Sequence, residues 1–396
     1  MIRTNPFRFK MSQYFRNYKR KFPGDFYYYG VASHAFYDVL MWLQKTNPKA
    51  NPNIVLPVFI PAKLYRVVLA AGYKPKFYDP TINCSVNINE VESLIDDETQ
   101  AVFCVHYFGI PAPVIDLKRV TERNKIILIE DCAHTLMAEF RGMELGTIGD
   151  AILFSTRKML QLPAGGFLIL NCEHAGFKPS YKKRVKSLYT ACKGGKTRIK
   201  QLYNKITKGA DPLALAWIPR TSQIDVNEKH YFTIKKISWL NKAYLKTVNL
   251  EKVIRKRREN YNYVLNGIKE LDYLNIISGP VQYNLIKEAG SHYYLREGIT
   301  PYSLPVSLPK KLRDYVRYRL CEIGIGCGAG WPEAPFGQDE FSNTKYFSEC
   351  LLELPIHQGM NHHQLKNMVE FLKGLPNKVE HNLTKNLESE SLEGVH

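Results

Sequence analysis

The sequence predicts an α/β fold: a mostly parallel central sheet with helices on both faces, plus a smaller C-terminal α+β domain. Three observations predict it. Between residues 30 and 170, short apolar runs alternate with amphipathic stretches, the pattern of βαβ units. Beyond residue 237 the pattern changes to one long amphipathic stretch and then a second mixed unit. The composition, 45% hydrophobic and 23% charged over 396 residues, is that of a globular chain long enough for one large and one smaller domain. The expected division is a basic arm over 1–29, a large domain over 30–245, a small domain over 246–376 and a polar tail over 377–396.

Each element has its own warrant. HAFYDVLMWL (34–43) carries apolar residues at helical spacing, and NIVLPVF (53–59) reads as a strand. AKLYRVVLAA (62–71) is helical and stops at Gly72, where a residue free to take positive φ ends a helix. PKFYD (75–79), AVFCVH (101–106) and KIILIED (125–131) are strands, separated by helices over VNINEVESLI (86–95) and IDLKRVTERN (115–124). AILFS (151–155) and GGFLIL (165–170) are two more buried strands. A long helix is expected over 237–267. Strands follow near HYYLREGI (292–299) and TPYSLPVSL (300–308), and helices near KKLRDYVRYRLCEIG (310–324) and HHQLKNMVEFLKGL (362–375).

The formal net charge is +18, and it is unevenly placed. Residues 1–22 hold seven basic side chains and no acid, and residues 178–208 hold eleven with no acid. Such patches attract phosphates or anionic lipid, or are simply solvated. Neither contains a nucleic-acid-binding motif, so no nucleic acid partner is expected. The aromatic and basic N-terminus could make weak contact with an anionic membrane surface, or pack on the body or on a partner subunit. It lacks an apolar leader segment, and the eight cysteines are scattered without a CxxC pair. A reduced, cytoplasmic setting without a cysteine-based metal site is therefore expected. The late histidines His357, His362 and His363 read as part of a helix start, not as ligands, and no metal is expected.

Three segments can carry chemistry. ILIEDCAH ends a buried strand in Glu130–Asp131, with His134 three residues on; ligands of parallel sheets bind at such strand ends, although an aspartate there can also cap a helix. GDAILFSTRKMLQLPAGGF delivers Ser155 and Lys158 between two strands. A lysine drawn out of water there is a carbonyl-reactive amine, whereas an exposed loop lysine would be inert. In GVASHAFYDVL, Ala32–Ser33 precede a helix whose free N–H groups suit an anion, and Ser33 could equally be an ordinary cap. One explanation covers all three: a phosphate at the helix start, an imine at the lysine and an aspartate against a ring nitrogen, which are the needs of pyridoxal 5′-phosphate.

The chain resembles the DegT/DnrJ/EryC1/StrS family of fold-type I aminotransferases. The segments that carry the resemblance include ASHAFYDVL, VVLAAGYKPKFYD, IILIEDCAHTLMAEFRGMELGTIGDAILFS, Lys158 with Gly165–Gly166, RKRRENY and LLELPIHQGMNHHQLKNMVEFL. The resemblance implies Lys158 as the Schiff-base lysine and Asp131 as partner of the pyridine nitrogen. It places His134 near the ring, with Ser155 and the Ala32–Ser33 pair on the phosphate. It also implies an amino donor such as glutamate, a nucleotide-linked keto sugar as acceptor, a role in surface polysaccharide or glycan synthesis, and a homodimer.

The chain departs from the family pattern at several positions. Ser155 and Lys158 are three residues apart where five is usual, and Ala32 replaces a glycine. Pro61 stands where an aromatic often stacks on the cofactor. The Asn-Tyr-Arg element lent by a neighbouring subunit is replaced by IKKIS, so that Lys235 and Lys236 are candidate substitutes. These departures leave two alternatives open: an aminotransferase acting on a non-sugar ketone, and a silent scaffold or regulatory homologue. GIGCGAGWP (324–332) follows a helix and is not a dinucleotide fingerprint.

Overall fold

The computed structural model describes residues 25–160, 162, 164–172, 176–181, 183–184, 234–237, 241, 245, 248–278, 285–287, 292–331 and 340–375. Most of the basic stretch 178–208, the N-terminal residues 1–24 and the tail 377–396 lie outside the described residues, and so do the readings placed on them.

The large sheet is built from β1 (Asp25–Tyr29), β2 (Asn53–Pro57), β3 (Lys74–Tyr78), β4 (Thr99–Val105), β5 (Ile127–Cys132), β8 (Ala151–Phe154) and β9 (Gly166–Leu170), in the order β1-β9-β8-β5-β4-β2-β3. The strands β3, β2, β4, β5 and β8 run parallel, while β9 is antiparallel to both of its neighbours. Two short strands, β6 (Glu139–Phe140) and β7 (Met143–Glu144), form a hairpin between β5 and β8. The segment expected as a basic arm thus includes an edge strand, because Asp25–Tyr29 pairs with Gly166–Leu170.

Side chains alternate across this sheet with period two. Ile54, Phe103, Ile129 and Leu153 enter one core with α1 (Ala32–Thr46) and α2 (Ala62–Ala70). Val55, Val102, Leu128 and Ile152 enter the other, with α4 (Val114–Arg123); the short α3 (Ile88–Ser93) adds Val91 to the same side. Burial on both faces explains why β2 and β4 are apolar almost throughout.

A single turn, α5 (Thr156–Leu160), follows β8. Beyond it, β10 (Lys183–Arg184) pairs in parallel with β11 (Lys235–Lys236). The long helix α6 (Leu250–Ile268) starts later than expected. Its cap is Asn249, whose side chain accepts the N–H of Lys252 at 3.0 Å. Leu250 belongs to a core of the large domain, whereas Tyr261, Val264, Leu265 and Ile268 belong to a third core. That third core is closed by the antiparallel sheet β12 (Asn275–Ile276), β15 (Ser303–Ser307) and β16 (Leu351–Pro355), with α7 (Lys310–Glu322) and α9 (His362–Lys373). A hairpin of β13 (Leu285–Lys287) and β14 (Tyr293–Leu295) and the helix α8 (Ser342–Cys350) complete it.

Candidate active site

Period two decides the roles of adjacent acids on β5. Glu130 points with Leu128 and Cys132 into one layer, and Asp131 points with Ile129 into the layer of α1 and α2. Glu130 is fully buried and saturated. It takes His106 Nε2 at 3.1 Å, the Gly149 N–H at 2.8 Å, the Gly146 N–H and the Cys132 thiol. Burial alone would push its carboxyl up, but the bonds from His106 and the two glycines outweigh that and hold it below the usual carboxylate range. His106 completes the network by accepting the Ala112 N–H at 3.1 Å, so this histidine is structural. The His106–Glu130–Cys132 group spends its ligand atoms on these bonds.

Asp131, His134 and Lys158 meet in one small cavity, walled also by Pro61, Leu64 and Trp331. Lys158 Nζ lies 2.8 Å from His134 Nε2. The other ring nitrogen, Nδ1, accepts the Phe108 N–H at 3.2 Å, which assigns the imidazole proton to Nε2. Nε2–H then donates to the Lys158 nitrogen, an arrangement that requires an uncharged amine. Burial pulls the Lys158 amine below its ordinary value against the opposing pull of Asp131 and Glu353, and burial drives His134 well down. Burial also raises the Asp131 carboxyl, against Lys158 and the Ala133 N–H that its Oδ1 accepts at 2.8 Å.

The start of α1 is also built for a polar guest. Its cap residue, Val31, has no side chain to accept the free N–H groups, and its first turn holds no acid. Ser33 is buried and its Oγ has no hydrogen-bond partner in the protein; the same is true of Thr156 Oγ1 at the start of α5. The Gly165–Gly166 pair lies between them. A Cβ on Gly166 would sit 2.3 Å from the Ala32 nitrogen, and one on Gly165 would sit 2.2 Å from Thr156 Oγ1. Ser155 is buried at the end of β8, where its carbonyl accepts the Lys158 N–H at 3.1 Å. Lys236 stands 5.2 Å over the Tyr181 ring, outside the residues that line the cavity.

Four contributors from the small-domain half were not named as site residues in the sequence, although Trp331 lies in the 324–332 segment, which the resemblance places near the substrate. Tyr302 stacks on His134 with centroids 4.4 Å apart and planes 8° apart. Trp331 stacks on the same imidazole at 5.7 Å and lies 6.0 Å from Lys158 Nζ. Glu353 acts on Lys158 electrostatically. Arg257, 1% exposed, donates to the carbonyls of Pro301, Tyr302 and Met159 and to Gln358 Oε1, tying the small domain to the turn that carries Lys158. For Arg257 the only local hint was an arginine-rich helix segment, RKRRENY, in which it does not stand out.

Parts of this chain are similar in sequence to known proteins. An L-glutamine:2-deoxy-scyllo-inosose aminotransferase of Streptomyces kanamyceticus is 31% identical over 34% of this chain and 32% of its own length. A UDP-N-acetyl-3-dehydro-α-D-glucosamine 3-aminotransferase of Acidithiobacillus ferrooxidans is 28% identical over 35% of this chain and 38% of its own. The chain thus spans about a third of the length of the curated relatives it matches. The likeness of fold extends further. The Helicobacter pylori aminotransferase involved in the biosynthesis of pseudoaminic acid superimposes with a TM-score of 0.63 over 92% of this chain and 91% of its own, at 16% identity. This is the fold-type I architecture. Residues 38–176, which include Asp131, His134, Ser155 and Lys158, match the sequence model of the DegT/DnrJ/EryC1/StrS aminotransferase family.

Proposed function

We propose that the protein is a pyridoxal 5′-phosphate-dependent aminotransferase that moves an amino group from a donor such as glutamate to a nucleotide-linked keto sugar. The observation that carries this reading is the meeting of the Lys158 amine, the Asp131 carboxylate and a neutral His134 in one cavity. The residues fit the cofactor. Ser33 Oγ and Thr156 Oγ1 are buried hydroxyls without partners, and buried polar atoms are rarely left so. With the uncapped start of α1 they suit an anion rich in acceptor oxygens, such as a phosphate.

In this reading Ser33, the N–H groups beside Ala32, and Ser155 hold the phosphate, and Asp131 holds a proton at the pyridine nitrogen. Lys158 would bond the cofactor, and its free amine would hold and move the proton of the reacting carbon. The chemistry that the cofactor supplies when bound is an electron sink for that carbon. His134 Nε2, 2.8 Å from the Lys158 nitrogen, helps to orient the amine. Retention of both Lys158 and Asp131 in working positions favours an enzyme over a silent scaffold.

The keto-sugar acceptor, and with it a place in polysaccharide or glycan synthesis, is supported by what the matching relatives are named for. A homodimer and a cytoplasmic setting belong to the same proposal. Among the described residues no helix is long and apolar enough to cross a membrane. The test begins with purified protein and added cofactor: a yellow complex forms, and borohydride fixes the cofactor to the Lys158 peptide, read by mass spectrometry. A colourless protein whose Lys158 stays unmodified refutes the cofactor. Transfer of ¹⁵N from glutamate to nucleotide-linked keto sugars is then expected, and label passing only to non-sugar ketones refutes the acceptor class. Light scattering decides the assembly.

A further inference from the structure

Rotation about the bond that carries an imidazole is broad, so nothing in His134 itself fixes the plane of its ring. Phe108 and Tyr302 fix it. After β4 the chain turns through Tyr107–Gly109, and Phe108 stands at φ 57°, ψ 13°, a left-handed conformation that a residue with a side chain seldom holds. Such a conformation persists only where its surroundings determine it. The Phe108 backbone is engaged at both ends: its N–H donates to His134 Nδ1 at 3.2 Å, and its C=O accepts the Tyr302 N–H at 2.7 Å. Gly109 lets the 300–302 segment come this close, since a Cβ on it would lie 2.3 Å from the Thr300 carbonyl oxygen. Tyr302 thus meets His134 twice, through the Phe108 backbone and through its own ring, 4.4 Å from the imidazole with planes 8° apart. Arg257 Nη1 donates to the Tyr302 carbonyl at 2.9 Å, and the guanidinium carbon stands 6.0 Å from the centroid of the same ring.

We propose that Tyr302 is a positioning residue for His134, and through it for Lys158. Its ring holds the imidazole in the one plane where Nδ1 meets the Phe108 N–H while Nε2 lies 2.8 Å from the Lys158 nitrogen. An amine that must reach one carbon gains rate from being held in one place. Tyr302 comes from the segment that leads into β15, so the orientation of the lysine on the large sheet depends on a residue of the small domain. The link to catalysis rests on Lys158 being the reactive lysine of the proposed function, whereas the hold on His134 is a property of the cofactor-free chain.

The test uses cofactor-free, full-length protein and diethyl pyrocarbonate near neutral pH, with the modification of each histidine read by mass spectrometry of one digest. The exposed His363 reports the reagent, and the fully buried His106 reports the tightness of the fold. In Tyr302→Met, which fills the space without an aromatic plane, His134 reacts roughly two- to tenfold faster, the worth of one aromatic stack, while His106 and His363 keep their rates. Tyr302→Phe keeps the plane and the rate of the unaltered protein, and Tyr302→Leu serves if the Met variant fails to fold. An unmoved His134 rate in a folded Met or Leu variant overturns the proposal. So does a rise shared by His106, which marks general loosening, and so does an equal rise in the Phe variant, which takes the role away from the ring. Pyridoxal 5′-phosphate is then added, and its capture at Lys158 by borohydride is timed. Capture slows roughly tenfold in the Met variant, well within the cost of an ångström of misplacement, and keeps its rate in the Phe variant. Equal rates in all three proteins overturn the link to Lys158. No capture at Lys158 in the unaltered protein refutes the functional reading and leaves the hold on His134 to be judged by the histidine rates alone.

Discussion

Replacing Arg257 by Met removes the guanidinium that joins α6, the Pro301–Tyr302 segment and the Lys158 turn. Two effects oppose each other. Burial pulls the Arg257 guanidinium down to about 10, so holding it charged at neutral pH costs about 3 kcal/mol, which the substitution releases. Against this, the Pro301 and Tyr302 carbonyls and Gln358 Oε1 lose their donor, whereas the Met159 carbonyl keeps Gln358 Nε2 at 3.2 Å. A buried acceptor left bare costs about 1–3 kcal/mol, and a bond to a charged donor is at the upper end. Three such losses outweigh the gain, leaving a net destabilisation of about 2–6 kcal/mol. For a chain of this length, that lowers the melting temperature by about 2–7 °C. Differential scanning calorimetry measures it, and absorbance titration of the cofactor follows the Lys158 turn, for which a weaker affinity is expected. A Met variant that melts within a degree of the unaltered protein and binds cofactor equally well refutes the reasoning. The buried guanidinium would then be a neutral filler and not a tie.

Three further outcomes follow from the same geometry. Ser33→Ala should raise the melting temperature of cofactor-free protein slightly, because it removes a buried hydroxyl without a partner, yet weaken cofactor binding roughly five- to tenfold, the worth of one hydrogen bond; equal signs in the two measurements would contradict a phosphate site. Gly166→Ala should abolish soluble, cofactor-binding protein, since the added carbon meets the Ala32 nitrogen at 2.3 Å, and normal purification and loading would show that the α1 start can shift. The depressed Glu130 carboxyl contributes stability that is complete above the ordinary carboxylate range and lost as pH falls through its folded value; urea midpoints from pH 7 to pH 3 should therefore slope less in Glu130→Gln, and parallel curves would remove Glu130 from the acid response.

How much was legible in the sequence varies from element to element. The buried strands β2, β4, β5, β8 and β9 were legible because two-sided burial leaves a continuous apolar run. The strand β1 was not, since DFYYY follows a basic segment and its tyrosines signal neither layer until β9 pairs with them. Helix α8 (SNTKYFSEC) has little helical pattern of its own. Its first turn is held by Asp79, whose carboxylate accepts the N–H groups of Asn343 at 2.8 Å and Thr344 at 3.0 Å from across the fold.

The site divides along the same line. By itself, the sequence determined the order of the strands' apolar runs, the opposite facing of Glu130 and Asp131, and the pairing of a strand-end acid with a lysine, because these follow from local periodicity and residue chemistry. Only the tertiary structure decided that Tyr302 and Trp331 stack on the imidazole beside that lysine and that Arg257 ties the small domain to its turn. They come from positions about a hundred to two hundred residues away, and no local pattern marks them. Their placement depends on how the small domain packs on the sheet, and that packing is a property of the whole chain.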